Sequence, residues 1–181
     1  MKTILLVLVT IIKMPLYLLR RNRINISSRI GSGVFLKKCT IGKWCYIGSN
    51  GVFNNVIIGN YSCIAPLCLI GGMEHSYWTA SISPKLSDEC ISNKKTQIGH
   101  DVWIAANCVI RQGVKIGDGA VIGAHSFVNT DIPPYAIAFG SPAKIYKYRF
   151  DKKTIDELAK SKYWLKNPKQ AKQIISQISL R

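Results

Sequence analysis

The sequence predicts an all-β chain wound as a parallel β-helix of hexapeptide repeats, and three observations carry that prediction. An aliphatic residue returns every six positions from Ile24 onward, a small residue stands four positions after many of them, and Gly, Asn or Asp recurs where a coil would turn. A period of six fits neither the 3.6 of a helix nor the alternation of a half-buried strand, and hexapeptide periods belong to parallel β-helices. Three hexapeptides make one triangular coil, with each aliphatic inside the prism and the turn residue at a corner.

The first element, residues 1–23, stands apart from the repeat. Residues 1–19 are nearly all apolar but are broken by Lys13 and Pro15, and the basic stretch Arg20, Arg21 and Arg23 follows. About 20 uninterrupted apolar residues are needed to cross a bilayer, so the segment is too broken for a span. With only Lys2 ahead of the apolar run and no small-x-small site after it, a signal peptide fits poorly. Two readings stay open: a helix in the membrane interface with its arginines at the headgroups, or a helix packed on the domain or on a neighbouring subunit.

The repeat itself occupies residues 24–148. It runs Ile24, Ile30, Leu36, then Ile41, Ile47, Phe53, then Ile58, Ile64, Ile70, and resumes as Ile98, Ile104, Ile110, Ile116, Ile122 and Val128. Small residues four positions on include Cys45, Ser62, Cys68, Val102, Cys108, Ala120 and Ser126. Three of the six cysteines thus occupy packing positions, and with no C-x-x-C pair the set reads as reduced. Hydrophobic residues make up 48% of the 181 and charged residues 19%, which excludes a disordered chain. The net charge of +16, from 25 Lys and Arg against 9 Asp and Glu, attracts polyanions in general. Nucleic acid is not expected as a partner, because no helix-turn-helix, zinc-finger or ribonucleoprotein pattern is present.

Residues 71–97 interrupt the repeat. They hold Gly71-Gly72-Met73-Glu74-His75-Ser76-Tyr77-Trp78, then Ser81, Ser83-Pro84 and Asp88-Glu89. So long an excursion from a rigid scaffold is a candidate functional loop. The tail, residues 149–181, predicts two helices: one over 152–162 capped by Asp151, with Ile155, Leu158 and Ala159 on one face, and one opened by Asn167-Pro168, with Ala171, Ile174, Ile175 and Ile178 at helical spacing. These helices are expected to cover the open end of the coil.

The stretch from Ile98 to Phe150, which includes IGHDVWIAANCVIRQGVKIGDGAVIGAHSFV and the segment Ser141-Pro142-Ala143-Lys144-Ile145-Tyr146-Lys147, resembles the C-terminal half of the hexapeptide-repeat acyltransferases, and the resemblance covers roughly Ile41 to the C-terminus. It is most similar to the branch of xenobiotic acetyltransferases and polysaccharide O-acetyltransferases. The resemblance implies a left-handed coil, a homotrimer, and acetyl-CoA as acyl donor with no metal. It implies that His75 is the catalytic base, a role suited to imidazole near neutral pH. It further implies that Trp103 lies along the pantetheine arm, that Ala105, Ala106, Gly123 and Ala124 line the same groove, and that Lys144 and Lys147 reach the nucleotide phosphates as point charges. Glu74, Asp88, Glu89 or a backbone carbonyl are the candidates to orient His75, and an N–H near Ala105 or Ala106 is the candidate oxyanion donor. His100 and His125 fall at turn positions and read as surface corners.

The expected activity is transfer of acetyl from acetyl-CoA to a sugar hydroxyl of a surface polysaccharide or its precursor, in the cytoplasm or peripherally on the inner face of the membrane. The alternative is an antibiotic O-acetyltransferase of the chloramphenicol or streptogramin kind. A metal hydratase on the same scaffold needs two histidines five residues apart, whereas His75, His100 and His125 are spaced by 25. A non-catalytic trimeric scaffold is the remaining class, opposed by the joint presence of His75, Trp103 and the Ser-Pro-Ala-Lys segment.

Overall fold

The computed structural model describes residues 12, 14–87 and 91–178. Strands of mostly two or three residues fall into three parallel sheets, one on each side of a prism. The first sheet stacks Arg23–Ile24, Thr40–Ile41, Val56–Ile58, Thr96–Ile98 and Lys115–Ile116. The second stacks Arg29–Ile30, Tyr46–Ile47, Cys63–Ile64, Trp103–Ile104, Val121–Ile122 and Ala136–Gly140, on which Ala143–Tyr148 folds back antiparallel. The third stacks Phe35–Lys37, Val52–Asn54, Leu69–Gly71, Val109–Ile110 and Phe127–Val128. The predicted solenoid is thus the observed one.

Register follows from the six-residue period. Ile30, Ile47, Ile64, Ile104 and Ile122 pair in line across successive coils and are each 0–1% exposed, so a slip would expose the whole stack. The small residues at the fourth position are buried for a second reason besides size. The Cys45, Cys68 and Cys108 thiols donate to the carbonyls of Gly59, Ala105 and Gly123 in the next coil, and the Ser62 hydroxyl donates to that of Gly99. Each ties a corner to the coil above it.

The corners are less selective than the sequence suggests. Trp44, Tyr61, Leu67, His125 and Tyr135 all take left-handed backbone, with φ between 55° and 63°, alongside the expected Asn50, Asn55, Asp101 and Asn107. Strain of this kind persists where surrounding bonds impose it. Here the amides of Tyr61, Leu67, His125 and Tyr135 each donate to a carbonyl of the preceding coil, those of Lys43, Ser49, Ala106 and Asp118 respectively. Glycine is instead required by close approach. A Cβ on Gly48 would stand 2.4 Å from the Pro66 nitrogen, and one on Gly117 2.4 Å from that of Pro134.

Helix α1, Met14–Leu19, leads into the first coil. Tyr17 is 4% exposed and packs with Met14 on the core, and the Asn22 side chain donates to the carbonyls of Tyr17 and Leu36. The described part of the segment is therefore packed on the domain, while most of residues 1–13 lie outside the described residues.

The tail forms helices α2, Lys152–Ser161, and α3, Pro168–Ser176, capped as predicted by Asp151 and Asn167. Thr154 and Leu158 are buried, whereas Ala159 is exposed. These helices do not cover the open end of the coil. They lie along the corner between the first and second sheets, because the polar groups of that corner hold them there. Asn60 donates to the Trp164 carbonyl, Tyr61 to that of Lys166, and Tyr163 to Asp101. His100 is the anchor rather than a free surface corner. Its ring stacks on Trp164 at 5.4 Å and its Nδ1 accepts the Asn60 amide at 2.8 Å, an arrangement that needs the neutral imidazole. His125 is exposed, as read from the sequence.

Two outcomes are expected. Ile104→Ala should cost about 2–5 kcal/mol in chemical denaturation, because the stack above and below holds the cavity open. Burial lowers the pKa of His100 from 6.5, with the Asp118 carboxylate partly opposing it. Since the unfolded chain takes up the proton first, the stabilisation from tail docking should be complete above about pH 6.5 and decline as pH falls below it. His100→Gln should flatten that part of the stability–pH curve.

Candidate active site

The excursion leaves the third sheet at Gly71 and returns to the first at Thr96, so it rises from the corner between those sheets. Its base is a small antiparallel ribbon, Glu74–His75 against Ile91–Ser92. Several bonds stitch this base to the solenoid. Asn55 donates to Asn93, the Lys94 amide donates to Gln112 Oε1, and the Thr96 hydroxyl donates to the Arg111 carbonyl. Beyond the base, Tyr77 and Trp78 meet edge to face at 5.2 Å and are largely exposed.

His75 is exposed at this base, and its Nδ1 lies 2.7 Å from the Ile82 carbonyl oxygen. A carbonyl can only accept, so Nδ1 carries a proton, and in the neutral ring Nε2 is the nitrogen that keeps a lone pair. Of the candidates to orient His75, the backbone carbonyl is the one found. Glu74 is engaged elsewhere, in a two-pronged pair with Arg111 at 2.7–2.9 Å, and that guanidinium holds its carboxyl below the usual carboxylate range. Asp88 and Glu89 lie outside the described residues.

A cleft of about 280 Å³ opens beside His75, with Tyr77, Trp78, Lys94, Gln112, Asn129 and Asp131 in its walls together with the Glu74–Arg111 pair. The sequence reading missed this pair. Its signal was there: Arg111 follows Ile110 at the place where Gly or Ala follows Ile98, Ile104, Ile116 and Ile122.

The remaining predicted residues gather elsewhere. Trp103 projects from the second sheet, 53% exposed, in register with Cys63 on one side and Val121 on the other. The same row continues through Ile137 to Lys147. Three strand spacings separate Trp103 from Lys147, about 14 Å. Lys144 lies nearby on the same returning strand, and both lysines are exposed. Ala105, Ala106, Gly123 and Ala124 sit at the corner where the second sheet turns into the third. The Ala105 amide is committed to the Ile122 carbonyl and that of Gly123 to Ala138.

Within one chain, therefore, His75 and the Trp103 row are not brought together. The third sheet separates their corners.

Residues 95–130 match the family model for the bacterial transferase hexapeptide, six repeats. The chain is 30% identical over 152 residues to a putative lipopolysaccharide biosynthesis O-acetyl transferase of Escherichia coli K12, covering 76% of this chain and 78% of that protein. It is 38% identical over 137 residues to a chloramphenicol acetyltransferase of Morganella morganii, 70% of this chain and 59% of that one. The match thus spans about three fifths of the length of that chloramphenicol acetyltransferase. Among solved structures, a hexapeptide-repeat acetyltransferase of Vibrio cholerae complexed with acetyl coenzyme A superposes with a TM-score of 0.63 at 26% identity, covering 77% of this chain and 79% of that one. The chain belongs to the hexapeptide-repeat acetyltransferase family.

An exposed two-pronged pair contributes little to global stability. Arg111→Gln should accordingly change the unfolding free energy by less than about 1 kcal/mol, yet raise protease cleavage within residues 73–87 several-fold, as measured by limited proteolysis.

Proposed function

We propose that the chain is an acetyl-CoA-dependent O-acetyltransferase that moves acetyl directly from thioester to hydroxyl, with His75 as general base. The observation that carries this reading is the Nδ1–H of His75 held on the Ile82 carbonyl, which leaves Nε2 free beside a cleft of acceptor size. As the acceptor oxygen attacks the thioester carbon, Nε2 takes the hydroxyl proton, and the imidazolium returns it to the departing coenzyme A thiolate. The fixed tautomer makes that base available without reorganisation.

The Trp103–Val121–Ile137–Lys147 row supports an elongated donor, with an indole for the apolar arm and a cation for phosphate. Ala105, Ala106, Gly123 and Ala124 border it with side chains small enough for close approach. The Ala105 N–H is already donated to the Ile122 carbonyl, which favours the Ala106 N–H of the two candidate oxyanion donors. Base and donor row lie at different corners, so the reading includes a homotrimer in which the loop of one copy faces the groove of its neighbour.

For the acceptor, the likeness to chloramphenicol acetyltransferases, 36–38% identical over 137–138 residues, favours a small hydroxylated xenobiotic over the glycan first expected. The glycan remains the second reading. It is favoured by the lipopolysaccharide O-acetyl transferase matched over 78% of its length, and by the polar Lys94, Gln112, Asn129 and Asp131 walls, which suit a hydroxyl-rich molecule.

The test is release of coenzyme A thiol with chloramphenicol, free oligosaccharides or lipid-linked oligosaccharide as acceptor. His75→Ala should lower turnover by about 10²–10⁴-fold with acetyl-CoA affinity unchanged, and Trp103→Ala should weaken acetyl-CoA binding. Turnover with chloramphenicol supports the xenobiotic reading; turnover confined to a glycan supports the second. No binding of acetyl-CoA would overturn both.

A further inference from the structure

All nine acidic residues of this chain lie at position 74 or beyond, whereas residues 1–73 carry nine Lys and Arg, at positions 2, 13, 20, 21, 23, 29, 37, 38 and 43. The first two coils of the solenoid are therefore built without a single carboxylate. The fold then concentrates part of this charge. The end of α1 and the first strand of the third sheet enclose a concavity of about 480 Å³ lined by Leu19, Arg20, Arg21, Phe35, Lys37 and Lys38. Among the described residues none of its four cations meets a carboxylate. Arg20 lies over the Phe35 ring at 4.7 Å, and the Lys38 amide donates to the Arg20 carbonyl, which fixes the two basic pairs side by side.

Beside this cationic cleft, α1 turns apolar side chains outward. Tyr17 and Met14 face the core, but Leu16, Leu18 and Leu19 are 46%, 63% and 82% exposed, and Ile12 just before the helix is 76% exposed. A soluble polyanion would use the cations and leave the leucines in water. A bilayer with anionic headgroups uses both, since apolar side chains enter the acyl boundary while Lys and Arg stay at the phosphates. Among the described residues no helix is long and apolar enough to cross a membrane.

We propose that the N-terminal end of the solenoid docks on an anionic lipid bilayer, with the Leu16–Leu18–Leu19 face of α1 inserted at the interface and Arg20, Arg21, Lys37 and Lys38 at the headgroups. The docking end is distinct from the His75 cleft and from the Trp103 row, so it adds a location to the chemistry without altering it.

Flotation of the full chain with vesicles tests this. Vesicles of phosphatidylcholine with about 30 mol % phosphatidylglycerol should carry the protein at about 0.1 M salt, and pure phosphatidylcholine vesicles should not. Lys37→Glu combined with Lys38→Asn removes three units of charge, Asn being suited to the left-handed backbone at position 38, where φ is 56°. At about five-fold per charge, this variant should bind about 100-fold more weakly. Leu18→Ser with Leu19→Ser should abolish the binding that persists at high salt. Lys169→Glu with Lys172→Glu, two exposed lysines of α3, should bind like the parent. Circular dichroism and acetyl-CoA affinity of each variant report whether the fold is kept. Equal flotation with neutral and anionic vesicles, an equal loss in the α3 variant, or capture by RNA but not by vesicles would each overturn the proposal.

Discussion

The hydrogen bonds that run from each coil to the one before it are the constraint on which the rest of this structure depends. They fix the register of strands only two or three residues long, and they hold left-handed backbone at corners occupied by Trp44, Tyr61, Leu67 and Tyr135. Because the corner amides are satisfied by the preceding coil, the left-handed position of a corner admits large side chains as well as glycine and asparagine. That freedom is what lets a corner carry a basic cleft, a docking site for the tail or an inserted loop.

The three corners are used differently. The one between the first and second sheets takes the C-terminal helices, through His100, Asn60, Tyr61 and Asp101. The corner between the second and third carries small residues beside the Trp103 row, Ala105 buried and Ala106, Gly123 and Ala124 at least partly exposed. The corner between the third and first emits the excursion with His75. A rigid prism thus keeps the His75 loop and the Trp103 row a whole sheet width apart within one chain.

Charge follows the same axis. Among the described residues, Glu74 of the excursion, Asp101 of a later coil and Asp156 of the tail each pair with a cation. Glu74 is occupied by Arg111, so it neither orients His75 nor presents an unpaired charge to the cleft. The imidazole is held by a main-chain carbonyl instead, a partner that does not titrate.

By itself the sequence determined the coil, since a period of six aliphatics has one compact solution and each repeat states its own inward residue. It also determined the helix caps at Asp151 and Asn167, which are local, and through resemblance it singled out His75 and Trp103. Tertiary structure decided which distant groups meet. The Ile82 carbonyl on His75, Arg111 on Glu74, and Trp164 on His100 join residues 7, 37 and 64 positions apart. No periodicity encodes such pairings, because they depend on where an excursion or a tail returns to the prism. The same holds for the path of the C-terminal helices: their apolar faces were legible, but the polar corner that receives them exists only once the coils are stacked.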